Sequence, residues 1–104
     1  MIVTVFRSRL RPDAGEAYHE LAAHMEALAR AMPGFVSFKT FAAPDGERVS
    51  LVEFADEASH NAWRSHPEHR EAQARGRSDF YAEFHIQVCS VVREYGFVHD
   101  ADTP

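Results

Sequence analysis

A single cysteine, Cys89, stands in this chain of 104 residues, so no internal disulfide can close. A zinc site would have to draw most of its ligands from histidines, and a reducing compartment suits the lone thiol, which makes the cytoplasm the expected location. No run of 18 apolar residues is present to span a membrane, and Met1–Phe6 meets Arg7, Arg9 and Arg11 almost at once, unlike a secretory leader. Basic side chains are outnumbered: eleven Lys and Arg against sixteen Asp and Glu give a formal charge of -5. An acidic surface repels phosphate backbones, so neither nucleic acid nor a membrane is an expected partner. Repeats and low-complexity tracts are absent, as are a Gly-rich phosphate loop, a GxSxG elbow, HExxH and CxxC. Any chemistry must come from residues that folding brings together.

Hydrophobic residues make up 45% of the chain and include twelve aromatics, enough for one packed core. Residues 1–98 are expected to form one domain, and 99–104 a flexible polar tail. Period-two alternation over 2–10 predicts a strand, with Val3, Val5, Arg7 and Arg9 on one face and Ile2, Thr4, Phe6, Ser8 and Leu10 on the other. After Pro12–Gly15 the spacing of Tyr18, Leu21, Met25, Leu28, Ala29 and Met32 predicts a helix, stopped by Met32-Pro33-Gly34. Strands over 35–43 and 49–54 follow, joined by the turn Pro44–Glu47. Asp56 opens a second helix through Arg64, and Pro67 and Gly76 bracket a short third. A last strand is predicted from Phe80 to Arg93, with Tyr81, Glu83, His85 and Cys89 on one face and Phe84, Ile86 and Val88 on the other.

The order β-α-β-β-α-β predicts an α+β, ferredoxin-like split βαβ protomer: a four-stranded antiparallel sheet with helices on one face. The strands over 2–10 and 35–43 carry apolar residues on both faces, and one helical layer covers only one of them. A homodimer is therefore expected, two sheets packing face to face into a barrel, with the aromatic segment 94–98 reaching onto the partner.

Candidate functional residues gather in His60–His69. His66 and His69, three apart, would share a helix face as metal ligands. The alternative makes Ser65 or His66 a cap before Pro67 and leaves His69 in solvent. Trp63, the sole tryptophan, anchors helix to sheet or offers a flat surface to a planar ring, and the two roles are compatible. Asn61 lies on a different helix face from Trp63. On the last strand, Tyr81, Glu83 and His85 would place a phenol, an acid and a base along one wall, or form a polar row. Arg7 and Arg9 could hold a carboxylate or phenolate, or pair with Glu53 or Glu83. Cys89 reads as a small core residue.

Taken in order, the opening strand and Pro/Gly turn, Met32-Pro33-Gly34-Phe35, Val52-Glu53-Phe54-Ala55 and Trp63-Arg64-Ser65-His66-Pro67-Glu68-His69 resemble the antibiotic biosynthesis monooxygenase (ABM) domain over about residues 1–95. The resemblance implies a dimeric α+β barrel. It also implies oxidation of a quinol or polycyclic phenol to a quinone by O₂, with no cofactor and no metal. An electron-rich aromatic anion itself reduces O₂, so the protein need only bind the ring, stabilise the anion and exclude water. On that reading His66 or His85 takes the proton, with Asn61, Arg7 or Tyr81 hydrogen-bonding the oxyanion and Trp63 and Phe41 holding the ring. Haem-degrading members resemble the chain less: Arg7 or Ser8 stands where they carry asparagine, and Glu71–Arg75 offers no histidine. A non-catalytic dimer that binds a small hydrophobic ligand is the remaining alternative.

Overall fold

Alternation in the first strand and turn chemistry at its end fix where the chain goes. The computed structural model describes residues 1–99; residues 100–104, nearly all of the expected tail, lie outside the described residues. Strand β1 (Ile2–Leu10) leads into helix α1 (Gly15–Ala31), then β2 (Phe35–Ala42) and β3 (Arg48–Phe54). Helices α2 (Glu57–Arg64) and α3 (Pro67–Arg75) follow, and a π-helical turn, Gly76–Phe80, delivers the chain to β4 (Tyr81–Ser90). The sheet order is β2-β3-β1-β4 with every neighbouring pair antiparallel, the α+β, ferredoxin-like arrangement expected from the sequence.

Local signals account for the boundaries. Gly34 sits at φ +81°, a conformation that disfavours any Cβ, and a Cβ there would also run into Ser59 of α2. The Asp56 carboxylate accepts from the backbone N–H of Ser59 at 2.8 Å and from its hydroxyl at 2.6 Å, capping α2. Those bonds hold the Asp56 carboxyl below the usual carboxylate range. Pro67 opens α3, with His66 as its cap.

All helices lie on the face formed by the even-numbered residues of β1, where Ile2, Thr4 and Ser8 are buried. Two apolar clusters hold them there. Ala29, Val52, Phe54 and Trp63 form one, and Ala14, Tyr18 and Phe80 the other. Among the described residues, no layer covers the opposite face, which carries Val3, Val5, Arg7 and Arg9.

The last strand departs from expectation. It begins at Tyr81 and ends at Ser90, and Phe80 instead closes the π-helical turn, buried against Tyr18. Arg9 pairs with Glu83 but Leu10 pairs with Tyr81, so the register shifts by one residue. That bulge turns Tyr81 to the helical side, where its ring meets Phe6 at 5.3 Å and Phe84 at 5.9 Å, while Glu83 and His85 stay on the open face. The predicted row of phenol, acid and base is therefore broken. Cys89 is exposed on the open face rather than in the core, because β4 is an edge strand and no layer covers that side among the described residues. Tyr95 and Phe97 are exposed in a segment without regular structure.

Candidate active site

Between the two apolar clusters the helices stand off the sheet and leave a cavity of about 360 Å³. Its walls are aromatic and aliphatic, with Phe6, Phe38, Trp63, Tyr81, Phe84 and Ile86 among them. This is the composition of a site for a planar apolar ligand. Gly76 lies in the same wall, and a Cβ there would come within 2.7 Å of the Tyr81 ring. The glycine is the space into which Tyr81 packs.

Polar groups share this wall with the apolar ones, and His60, His69, Tyr81 and Arg48 among them have definite placements. His60, 2% exposed, stands on α2 one turn before Trp63, and its Nε2 lies 2.8 Å from the hydroxyl of Thr4, which is 7% exposed. One of these two groups donates to the other, so both are satisfied away from water. His69 lies face to face with the Trp63 indole, centroids 4.2 Å apart and planes at 25°. Its Nδ1 is 3.2 Å from the carbonyl oxygen of Arg64. A carbonyl only accepts, so Nδ1 carries the hydrogen and the neutral ring keeps its lone pair on Nε2. Burial pushes the His69 pKa below its ordinary value, against the opposing pull of the Arg64 carbonyl and with help from His60, His66 and Arg64. The ring is thereby kept in its basic form.

Tyr81 supplies a phenol. Burial first, and then the neighbouring Tyr18, push its pKa well above the ordinary tyrosine value, so it remains a hydrogen-bond donor. Trp63 is 6% exposed, and its indole N–H is buried without a partner; so is the Nε–H of Arg48, whose guanidinium lies 5.7 Å from the Tyr18 ring centroid. Buried donors in proteins are paired as a rule, and leaving one unpaired costs about 1–3 kcal/mol.

Of the residues nominated from sequence, the fold brings Trp63 and Tyr81 into this cavity. His66, Asn61, His85, Arg7 and Phe41 do not line it. His66 accepts the Glu68 backbone N–H on Nδ1 at 3.2 Å, so its lone pair is already engaged in capping α3. Asn61 is exposed on the outside of α2. His85 pairs in register with Arg7 on the open face, where both line a smaller cavity of about 240 Å³ with Glu47 and Glu83. Arg7 is held there by Glu47 through two contacts, 2.8 and 3.2 Å, while Arg9 takes Asp45 and Glu83. Phe41, 49% exposed, is on the same open face beneath Lys39. His69, expected in solvent under the capping alternative, is half-buried instead, because α3 folds back and lays it on Trp63. No three His, Cys, Asp or Glu side chains converge on a metal position among the described residues.

Arg48 and Thr4 escaped the sequence reading, which weighed His60, like Glu68, only as a further metal ligand beside His66 and His69. The signals were present: His60 and Trp63 are three apart on one helix, and Arg48 shares strand parity with Val52 and Phe54.

The model of the antibiotic biosynthesis monooxygenase family matches residues 1–75. The chain belongs to that family. The matched stretch carries Thr4, Arg48, His60, Trp63 and His69 and stops before β4. An uncharacterized protein, YqjZ of Bacillus subtilis (strain 168), is 30% identical over 90 residues, covering 86% of this chain and 79% of YqjZ. Among solved structures, Rv0793 from Mycobacterium tuberculosis superposes with a TM-score of 0.79 at 22% identity, covering 91% of this chain and 98% of that one. SnoaB, a cofactor-independent oxygenase from Streptomyces nogalater, superposes with a TM-score of 0.76 at 15% identity over 89% and 94% of the two chains. These ABM-type neighbours share the fold.

Proposed function

We propose that this chain is an ABM-type monooxygenase that oxidises a quinol or polycyclic phenol to a quinone with O₂ in the cavity between sheet and helices. The observation that carries the reading is His69, a neutral imidazole oriented by the Arg64 carbonyl and stacked on Trp63 in an aromatic-walled cavity. The family match supports the class of reaction, and SnoaB, similar in fold, is itself a cofactor-independent oxygenase.

In this scheme the ring seats against Trp63 and Phe38, and His69 Nε2 takes the hydroxyl proton. The anion is stabilised by the Tyr81 phenol, which lines the cavity. O₂ is the oxidant. The electron-rich ring forms a C–O bond to it, the O–O bond breaks, and one oxygen leaves as water with both hydrogens from the substrate. The ring carbon that bore hydrogen ends as the second quinone carbonyl, so that phenol plus O₂ gives quinone plus water. The base thus moves from His66 or His85, the sequence candidates, to His69, and of the oxyanion partners Asn61, Arg7 and Tyr81 the proposal keeps Tyr81.

The functional unit in this proposal is a cytoplasmic homodimer formed through the open sheet face, whose Val3, Val5, Val49 and Leu51 no layer of the described residues covers. Sedimentation of wild type against Leu51→Asp reads that claim directly: the wild type should run as a dimer and the variant as a monomer.

Oxygen uptake tests the reaction, with hydroquinones and anthrone-like phenols offered to the protein. Uptake matched by quinone and lost in His69→Gln is expected, with one labelled oxygen from ¹⁸O₂ in the quinone made from a phenol; a hydroquinone already carries both oxygens, so its quinone gains no label and the O₂ it consumes leaves as H₂O₂. Uptake no greater than that of heat-killed protein would favour a carrier of aromatic ligands instead.

A further inference from the structure

Two of the ten arginines, Arg70 and Arg93, are exposed with no carboxylate partner among the described residues and lie away from the cavity; the other eight divide by place. Arg7, Arg9, Arg11, Arg30 and Arg75 each lie within ion-pair distance of a carboxylate, and none of them lines the cavity. Arg48, Arg64 and Arg77 line it, and none has a carboxylate partner among the described residues. The cavity wall holds one carboxylate, Glu26, and that is engaged by Arg30 at 3.0 Å. A chain of formal charge -5, rich in acids, thus leaves three arginines uncompensated around this apolar cavity. Arg48 is the innermost. It is half-buried, with its guanidinium carbon 5.7 Å from the Tyr18 ring centroid, and its Nε–H is enclosed with no acceptor among the described residues. The two terminal nitrogens of a guanidinium present parallel N–H groups, a fork that matches the two oxygens of a carboxylate and does not need the enclosed Nε–H.

We propose that the cavity selects aromatic acids: a fused ring seated against Trp63 and Phe38, carrying a carboxylate that ion-pairs with Arg48. Arg64 and Arg77, exposed nearer solvent, add field that draws the anion in. The inference rests on the reading that this cavity is the substrate site, but not on oxygen chemistry. It separates the acid from the phenolic hydroxyl that reacts: the carboxylate is a handle and the hydroxyl is the reacting group.

Trp63 is the only tryptophan, so its indole N–H gives one ¹H–¹⁵N resonance that reports on the cavity. That resonance is followed while the protein is titrated with 2-naphthoate and, separately, with the neutral 2-naphthalenemethanol. The acid should bind about ten- to a hundredfold tighter, the range expected for a hydrogen bond to a charged partner. Added salt should narrow the gap. Arg48→Met should bring the two affinities together by weakening the acid alone, and Arg48→Lys should keep part of the preference. The full spectrum of each variant shows whether it is folded. Should Arg48→Met be unfolded, Arg48→Lys with Arg64→Ala carries the test, and a wild-type preference in that variant contradicts the proposal. Equal affinities in the wild type, or a preference that survives in folded Arg48→Met, overturn the acid handle while leaving the cavity as the site. An indole resonance unmoved by either compound overturns both. Absence of oxygen uptake alongside a clear acid preference would overturn only the oxygenase reading.

Discussion

The two faces of one sheet treat the same residue types in opposite ways. On the open face Arg7 and Arg9 are matched by Glu47, Asp45 and Glu83, side chains that remain partly in water. On the helical face Arg48 has no such partner, and His60 and Thr4 satisfy each other out of reach of water. Surface ion pairs in water contribute little, whereas a buried polar group without a partner is costly. The open face therefore has its charges neutralised and its apolar residues bare, as a protein interface would. The helical face keeps unspent hydrogen-bonding capacity around an empty volume, as a ligand site would.

Substitutions that break this contrast should fall in a definite order. Phe54, fully buried between sheet and α2, should lose about 3–5 kcal/mol on truncation to alanine, read by urea unfolding. Phe41→Ala on the open face should cost far less when measured at concentrations too low for association. Next, Thr4→Val keeps the shape but strands a ring nitrogen of His60, and should cost about 1–3 kcal/mol. Adding His60→Leu should then cost less than the two separate losses combined, since the penalty belongs to the pair.

A pH scan sharpens the comparison further. The folded pKa of His69 is lowered, so above the unfolded histidine value, about 6.5, it costs nothing. As pH falls below that value the unfolded chain takes up a proton that the folded chain resists, and stability is lost until the folded pKa is passed. Wild type should thus lose more stability than His69→Gln between about pH 7.5 and about pH 5. If His69 is the base, kcat/KM should also fall on that acid side. The smallest effect belongs to the open face: Arg7→Gln should leave the melting temperature of the protomer unchanged within error.

Much of the fold was legible because alternation and punctuation act locally. Gly34, Asp56 and Pro67 each stop or start an element by geometry contained within a few residues. The start of β4 was not legible, since a π-helical turn and a bulge opposite Leu10 both depend on how Phe80 and Tyr81 pack against Tyr18. That one-residue shift decides on which face Tyr81 lies. The site was half visible. Trp63 announced itself as a lone indole, but the neighbouring histidines differ only in what their ring nitrogens touch, which no spacing reveals. His66 caps a helix, His60 meets a threonine fifty-six residues away, and His69 reaches the carbonyl of Arg64. Arg48 stayed hidden because its distinction is the absence of a partner.

Which face carries the chemistry is tested most directly by measuring kcat/KM for quinone formation in His69→Gln and His85→Gln beside the wild type. Loss of a general base lowers rates by about a hundredfold to ten-thousandfold. The expected result is a loss of that size in His69→Gln, with His85→Gln close to wild type. A collapse in His85→Gln while His69→Gln turns over normally would contradict the placement of the site beneath the helices and move it to the open face.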